Sequence, residues 1–428
     1  MLTRLNPTDE MLDSAAGTVG SQRRIQLIWV IPQPASLEHV AQLWERLAQG
    51  SLSRTPQSPI LPFARRWWQP ATNTEAPFIT PDLLEAEDVH GWLDEQVNAH
   101  LNTCKLWRLA AARTGQQTTV VSLVVPHAMA DGLGLINAVT ESKPDTSPAH
   151  RSIRSDFGDL VDQLQTSASD LPRWARRVAS DRTFRRSLIH ATRSMMASGS
   201  PPIPSTELEL FTTAFFSSPS SSWNRAANAA GTSANGLYIS IAERLYRAVN
   251  PTGPVDIGIP VSLRAGTEDR AANALVVVPL HLEHPKPSCP RMRDAIRQRL
   301  DQITADDTTL IPQLLWNCLP ARGRRAFKTP GAQQTDIIAS NFGNVTPAAH
   351  ALSSPAESMF ARTMSAPGLD PKQSRIRLSI CLIEVGASFH LTVTASPTYF
   401  GSTTDITALV SDILATMQIE KVSTWPKR

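Results

Sequence analysis

Residues 118–126, TTVVSLVVP, form an apolar β run that ends in a proline; His127 follows at once, and Asp131-Gly132 lies four residues further on. A buried-looking strand that delivers an imidazole to its own end admits two readings. Either these residues merely terminate a strand and start the helix GLINAVTES, or they form a general base with its structural support.

Strand and helix signals alternate along the rest of the chain. IQLIWVI (25–31) reads as a strand. SLEHVAQLWERLAQG reads as a helix, with Ser36 as cap, Leu37, Val40, Leu43, Trp44 and Leu47 on one face, and Gly50 at its close. PDLLEAEDVHGWLDEQVNAHL (81–101) reads as a second amphipathic helix with acidic residues near its start. CKLWRLAAA (104–112) and TTVVSLVV, joined by RTGQQ, read as a hairpin. In the second half LELFTTAFF, VDIGIPVSL (255–263), ANALVVVPLHL (272–282), TDIIASNFGNV (335–345), SRIRLSICLIEVG and SFHLTVTASPTYF read as strands. Helices are expected at SANGLYISIAERLYRAV (233–249), at 291–303 and 308–328, and at TDITALVSDILATMQ (404–418). Strands mixed with helices in both halves of 428 residues predict an α/β protein of two lobes.

Between the halves the composition changes. SKPDTSPAHRS and SGSPPIPS are Pro/Ser-rich and look like linkers. They bracket a basic segment, RWARRVASDRTFRRSLIHATRSMM (173–196), with Trp174, Val178, Phe184 and Leu188 as an apolar stripe. Its arginines fit a solvated surface helix, and they also fit a face that touches phosphates or anionic lipid.

The chemistry open to the motif follows from its residue types. A shielded histidine with a pKa near 7 can take a proton from a hydroxyl or amine as that group attacks an acyl carbonyl. Asp131 need not touch the ring; it can bind an arginine and hold the turn, while Gly132 and Gly134 permit close backbone approach. No G-x-S-x-G elbow is present, so direct attack is favoured over an acyl-serine route. A net charge of +3 gives no reason to expect nucleic acid as a partner. The four cysteines, Cys104, Cys289, Cys318 and Cys381, have neither metal-ligand nor disulfide-framework spacing. No metal or redox cofactor is expected. MLTRLNPTDEMLDSAAGTVG lacks a signal-peptide core, and no apolar run approaches the roughly 20 residues of a spanning helix. The expectation is a soluble intracellular protein.

PHAMADGLG resembles the His-Xaa-Xaa-Xaa-Asp-Gly signature of the CoA-dependent acyltransferase superfamily, which includes wax ester synthases/diacylglycerol acyltransferases, polyketide-associated acyltransferases and condensation domains. Four further segments are similar in the right order: RLNPTDEMLDSAAG at the start, FTTAFF with SANGLYISIAERLYRAV, IGIPVSLRAGTEDRAANALVVVPLHL, and IIASNFGNV, the counterpart of a Ser-Asn signature on the crossover strand. Three details depart from the pattern: Pro126 replaces the first of two histidines, Gly236 follows Asn235 in place of Asp, and FGN follows Asn341.

The resemblance implies two chloramphenicol-acetyltransferase-like lobes, each a mixed sheet with flanking helices, and an active-site tunnel between them. Residues 1–170 would be the first lobe, 171–206 a basic helical linker, and 207–428 the second lobe. His127 would be the general base, Asp131 structural with Arg264 as its candidate partner, and Gly132 would keep the floor of the site open. Ser340 and Asn341 would lie near the reacting carbonyl. The donor would be acyl-CoA or an acyl carrier protein, the acceptor a hydroxyl or an amine. RRWW (65–68) could border an entrance, and peripheral membrane contact through 173–196 is a further expectation. A binding module that recruits a carrier protein without catalysis is the reading from another class.

Overall fold

The computed structural model describes residues 3–19, 21–32, 37–115, 117–141, 152–196, 208–264, 266, 269, 271–283, 294, 296–297, 309–327, 335–352, 355–372 and 374–426. In the first half, α1 (Pro7–Val19) precedes β1 (Gln22–Pro32), α2 (Leu37–Gln49), β2 (Arg54–Gln57), β3 (Trp67–Pro70) and β4 (Phe78–Ile79). Then come α3 (Val89–Asn98), β5 (Arg108–Arg113), β6 (Thr118–Pro126) and α4 (Gly132–Thr140). Two helices follow, α5 (Ile153–Ser180) and α6 (Arg182–Met196). The second half runs β7 (Thr212–Pro219), α7 (Ser220–Ala229), α8 (Ala234–Arg247), β8 (Val255–Ser262), β9 (Leu275–Leu282) and β10 (Ile337–Asn344). It ends with β11 (Ser358–Ala366), β12 (Leu378–Val385), β13 (Ser388–Ala395), a helix at Thr403–Thr416 and β14 (Ser423–Trp425).

These strands form two mixed sheets, in the orders β11-β1-β6-β5-β4 and β14-β7-β13-β12-β10-β8-β9, beside a small β2-β3 pair. The hairpin expected at 104–125 is β5-β6, antiparallel from Arg108↔Val124 to Arg113↔Thr119. β1 shows why its sequence is an unbroken apolar run. Leu27 and Trp29 pack with Val40 and Leu43 of α2, whereas Ile28 and Val30 pack with Trp92 and Leu93 of α3. Both faces of the strand are therefore covered, which removes the polar alternation of a half-exposed strand.

A buried polar network ties the sheets on the α3 side. Gln26 donates to Ser122 Oγ at 2.8 Å and to the Leu93 carbonyl at 3.1 Å. Arg362 of β11 donates to Gln26 at 2.6 Å and to Thr213 of β7 at 2.9 Å, and pairs with Asp94 at 2.7 Å. One fully buried guanidinium thus joins α3, β1 and the second sheet, and its hydrogen bonds offset the cost of burying the charge.

The first sheet is not built from the first half alone. β11 pairs antiparallel with β1, from Gln22↔Ala366 to Val30↔Ser358. The crossover expected at IIASNFGNV falls elsewhere: β10 stays in the second sheet, parallel to β8 and β12, and the crossing strand is SMFARTMSA. That stretch has no β-branched cluster, and Gly368 and Pro371 follow it, so it carries little strand signal of its own. The boundary expected at 170/171 lies inside α5, which runs unbroken through Pro172.

Other expectations shorten. The helix expected at 81–101 is confined to Val89–Asn98, because Leu84 N–H donates to the Arg113 carbonyl and Gly115 N–H to that of Leu84. Those bonds hold 81–87 against the hairpin. Residues 308–328 give two short helices, Gln313–Asn317 and Ala321–Ala326, parted at Pro320. Trp174, Val178, Phe184 and Leu188 do form one stripe, packed with Trp316 and Phe327. Ser36, most of 291–303 and nearly all of the two Pro/Ser-rich stretches lie outside the described residues. Among the described residues, no helix is long and apolar enough to cross a membrane.

One buried group of β13 couples stability to pH. His390 is fully buried, its Nδ1 2.7 Å from Ser217 Oγ and its ring edge-on to Phe360. Burial pulls its pKa down to about 4 from an ordinary 6.5. The folded protein therefore keeps the ring neutral where the unfolded chain protonates it, and stability falls as pH drops from 6.5 towards 4. The full effect is on the order of 3 kcal/mol. Asp9, pushed up to about 6 by burial, acts with the opposite sign, so only the difference between variants isolates His390. Urea unfolding of wild type and His390→Phe at pH 7 and pH 4.5 should show a smaller loss of stability in the variant. Equal losses would refute the assignment.

Candidate active site

The register of β1 and β6 places His127. Arg24 pairs with Pro126, and one step beyond the ladder His127 N–H donates to the Arg23 carbonyl at 2.9 Å. Met129 N–H returns to the Pro126 carbonyl at 2.9 Å and turns the chain, after which Asp131 caps α4 by accepting from Gly134 N–H at 2.6 Å. His127 is consequently held at a strand end, half-buried, with its ring on a cavity between the two sheets. Arg23, Ile25 and Thr363 line that cavity from one sheet, and Val276, Ile338 and Ser379 from the other. Its empty volume is about 1330 Å³, counting the part open to solvent.

The orientation of the imidazole is set by Asn273, just before β9. Asn273 Nδ2 donates to Asp9 Oδ1 at 2.9 Å and to the carbonyls of His127 and Ala128 at 3.0 and 3.1 Å. With three acceptors around Nδ2 the amide cannot be reversed, so the atom 3.1 Å from His127 Nδ1 is the oxygen Oδ1. Nδ1 must then carry the proton, and the lone pair resides on Nε2. Asp9 also accepts from the Asn273 N–H at 3.1 Å, while Asn6 donates to the Asn273 carbonyl. Burial, and then the charge of Arg23, lower the pKa of His127 below its ordinary value. The ring is neutral at pH 7 and able to accept a proton.

Asp131 does not reach the imidazole with a hydrogen bond. Its carboxylate takes Arg264 Nη2 at 2.8 Å, Gly134 N–H at 2.6 Å and Ala274 N–H at 2.8 Å. The expected Asp131–Arg264 pair is therefore present and buried, with 4% and 5% of the two side chains exposed. Arg264 also donates to the carbonyls of Asp269 and Ala271, both at 2.9 Å. The pair clamps residues 271–274 of the second half against the turn of the first, and Asn273 lies within that clamp. A side chain at Gly134 would bring Cβ within 2.5 Å of Arg264 Nη2. A Cβ at Gly132, which lines the cavity, would come within 2.5 Å of the Phe342 ring, so glycine here makes room for that aromatic side chain.

Ser340 lines the cavity, but Asn341 does not. β10 alternates, sending Ser340 and Phe342 inward and Asn341 to the exposed side, where its Nδ2 donates to Asn235 at 3.1 Å and its Oδ1 accepts from Gly343 N–H at 2.9 Å. Gly343 has φ +68°, so this turn needs glycine. The expectation that Asn341 lies by the reacting carbonyl is corrected accordingly. Tyr238 OH holds the strand from behind, 2.9 Å from the Ser340 carbonyl and 2.7 Å from that of Ile380.

Three residues that face this site are not evident from the motif. Asn273 and Asp9 carry no local signal beyond a polar residue next to an apolar element. Arg23 could be noticed as an arginine that opens a buried strand on the same face as Ile25. A second cavity adjoins the first, and Leu12 and Arg23 border both. Arg66 and Trp68 of RRWW line this second space, whereas Arg65 pairs with Asp159 and Asp162. Among the described residues, no group of three or more His, Cys, Asp or Glu is placed to hold a metal ion.

No family model matches the chain, and no curated protein matches its sequence. Solved structures do match its shape over nearly the whole length. The first condensation domain of the CDA synthetase is 14% identical and superposes with a TM-score of 0.58, covering 99% of each chain. The wax ester synthase/diacylglycerol acyltransferase from Marinobacter aquaeolei VT8 is 12% identical with a TM-score of 0.55, over 97% of this chain and 99% of that one. The starter condensation domain of rhizomide synthetase, solved as a variant in complex with C8-CoA, is 12% identical with a TM-score of 0.54, over 98% and 94%. The chain thus has the two-lobed fold of these proteins.

Proposed function

We propose that this chain is an acyltransferase that moves an acyl group from a thioester donor, acyl-CoA or an acyl carrier protein, to a hydroxyl acceptor of lipid or polyketide character. The observation that carries the reading is the Asp9–Asn273–His127 chain, which leaves Nε2 as the basic nitrogen on the inter-lobe cavity. The shared fold adds weight, since the neighbours are named as a wax ester synthase and as condensation domains, one of them with a bound acyl-CoA.

In the proposed reaction Nε2 takes the acceptor's hydroxyl proton as its oxygen attacks the thioester carbonyl. The tetrahedral intermediate collapses with loss of the thiolate, which receives the same proton from the imidazolium. The Ser340 hydroxyl is the candidate donor to the oxyanion. Asp131, Arg264 and Gly132 keep the geometry and take no part in proton transfer. The apolar lining from Ile25, Val276 and Ile338 suits a hydrocarbon chain.

The test is incubation with octanoyl-CoA and an octanoyl carrier protein against a panel of alcohols and amines, followed by product masses. Ester formation supports the proposal, and exclusive amide formation reassigns the acceptor. Tight binding of the carrier protein with no thioester consumed would leave a recruiting module. The acid limb of the rate profile gives a further check: kcat/KM should rise with pH through a midpoint below 6.5, because burial and Arg23 favour the neutral, active ring. A midpoint at or above 6.5 would contradict that account.

A further inference from the structure

Among the described residues, Arg23 is the one arginine on the wall of the His127 cavity, and no carboxylate lies within ion-pair distance of it. The acids nearby are committed elsewhere. Glu209, which lines the same cavity, accepts from the hydroxyls of Ser396 and Thr398, and Asp13 of the adjoining space pairs with Arg66 at 2.6 Å. Burial lowers the pKa of Arg23, and no acid counteracts the shift. A guanidinium stays charged in a protein, so an uncompensated one next to an apolar cavity is costly unless something anionic binds there. Its strand face is shared with Ile25, and Ser365 is its partner across the β11 pairing, so its planar fork belongs to the cavity wall.

We propose that Arg23 binds a carboxylate of the acyl acceptor, so that the substrate is a hydroxy acid and not a neutral alcohol. This rests on the acyl-transfer reading above. The donor does not supply the anion: the phosphates of CoA or of a carrier protein lie a full pantetheine arm from the thioester, whereas Arg23 is near enough for its charge to act on His127. A bound carboxylate would also shield His127 from that charge, so acceptor binding would strengthen the base at the moment it is needed.

The test uses the purified full chain and three probes of one chain length: octanoate, octyl phosphate and methyl octanoate, titrated by calorimetry. Octanoate is expected to bind at least tenfold more tightly than the ester, as a charge-assisted contact requires. Arg23→Gln should erase the difference and Arg23→Lys should keep part of it. The wild-type comparison decides even if neither variant folds: equal affinity for acid and ester overturns the proposal. Octyl phosphate binding tenfold more tightly than octanoate overturns the carboxylate assignment in favour of a phosphate ester. His127→Ala should retain the preference for the acid. Absence of acyl transfer by the wild-type chain with that preference intact would isolate a failure of the catalytic reading, and wild-type transfer without the preference a failure of this one.

Discussion

His127→Ala is expected to lower kcat/KM for acyl transfer by roughly a hundred- to ten-thousand-fold, the usual contribution of a positioned base. On the free-energy scale this is about 3–5 kcal/mol of transition-state stabilisation. The loss should be one of chemistry and not of folding. Among the described residues the ring makes one side-chain hydrogen bond, to Asn273 Oδ1, and Asn273 keeps its other contacts to Asp9 and to the His127 and Ala128 carbonyls. The acid limb of the pH profile should vanish with the ring. Stopped assays of thiol release, run beside circular dichroism of the same preparation, would measure both. A well-folded variant with undiminished turnover would remove His127 from the mechanism.

Asp131→Ala should cost about 4–6 kcal/mol of stability. Breaking a buried ion pair by removing one partner typically costs roughly 3–5 kcal/mol, and a lost helix cap adds about 1 kcal/mol. The carboxylate receives Arg264, the first turn of α4 and the Ala274 amide at once, so its removal releases both sides of the clamp. Asp131→Asn should be milder, since an amide oxygen can still cap the helix. Pairing Asp131→Ala with Arg264→Met should recover part of the loss, because no charge then remains buried alone. Denaturant unfolding of the three variants provides the comparison. A cost below about 1 kcal/mol for Asp131→Ala would show that the clamp contributes little. Because Asn273 lies between Ala272 and Ala274, the same substitution should also loosen His127 and slow turnover where the protein is still folded.

The turn from Pro126 to Gly132 was legible because its elements are local. A β run, a proline, a histidine and a capping aspartate lie within fourteen residues; that Asp131 would bind an arginine followed from its residue type, whereas Arg264 as that partner came from the resemblance of IGIPVSLRAG to the family pattern. Asn273 and Asp9 were not legible as site residues. Their roles depend on a meeting of α1, the β6–α4 turn and the loop before β9, separated by up to 264 positions. Asn341 was misplaced by one step of the strand period, which carries a side chain to the opposite face. The same limit hid β11: SMFARTMSA is a strand because β1 offers it an edge, not because its residues prefer extended backbone.

That borrowed strand has a consequence for how the protein is made. β1 and β6 leave the ribosome roughly 230 residues before β11. At roughly 5–20 residues per second, the open edge of β1 waits on the order of ten to fifty seconds for its permanent neighbour. During that interval Ile25, Leu27 and Trp29 belong to a nascent chain with an unpaired rim, which is the form most exposed to chaperones and to self-association. Cutting the gene between the halves should therefore yield an insoluble first piece, and circular permutants that emit β11 early should be the easier ones to produce.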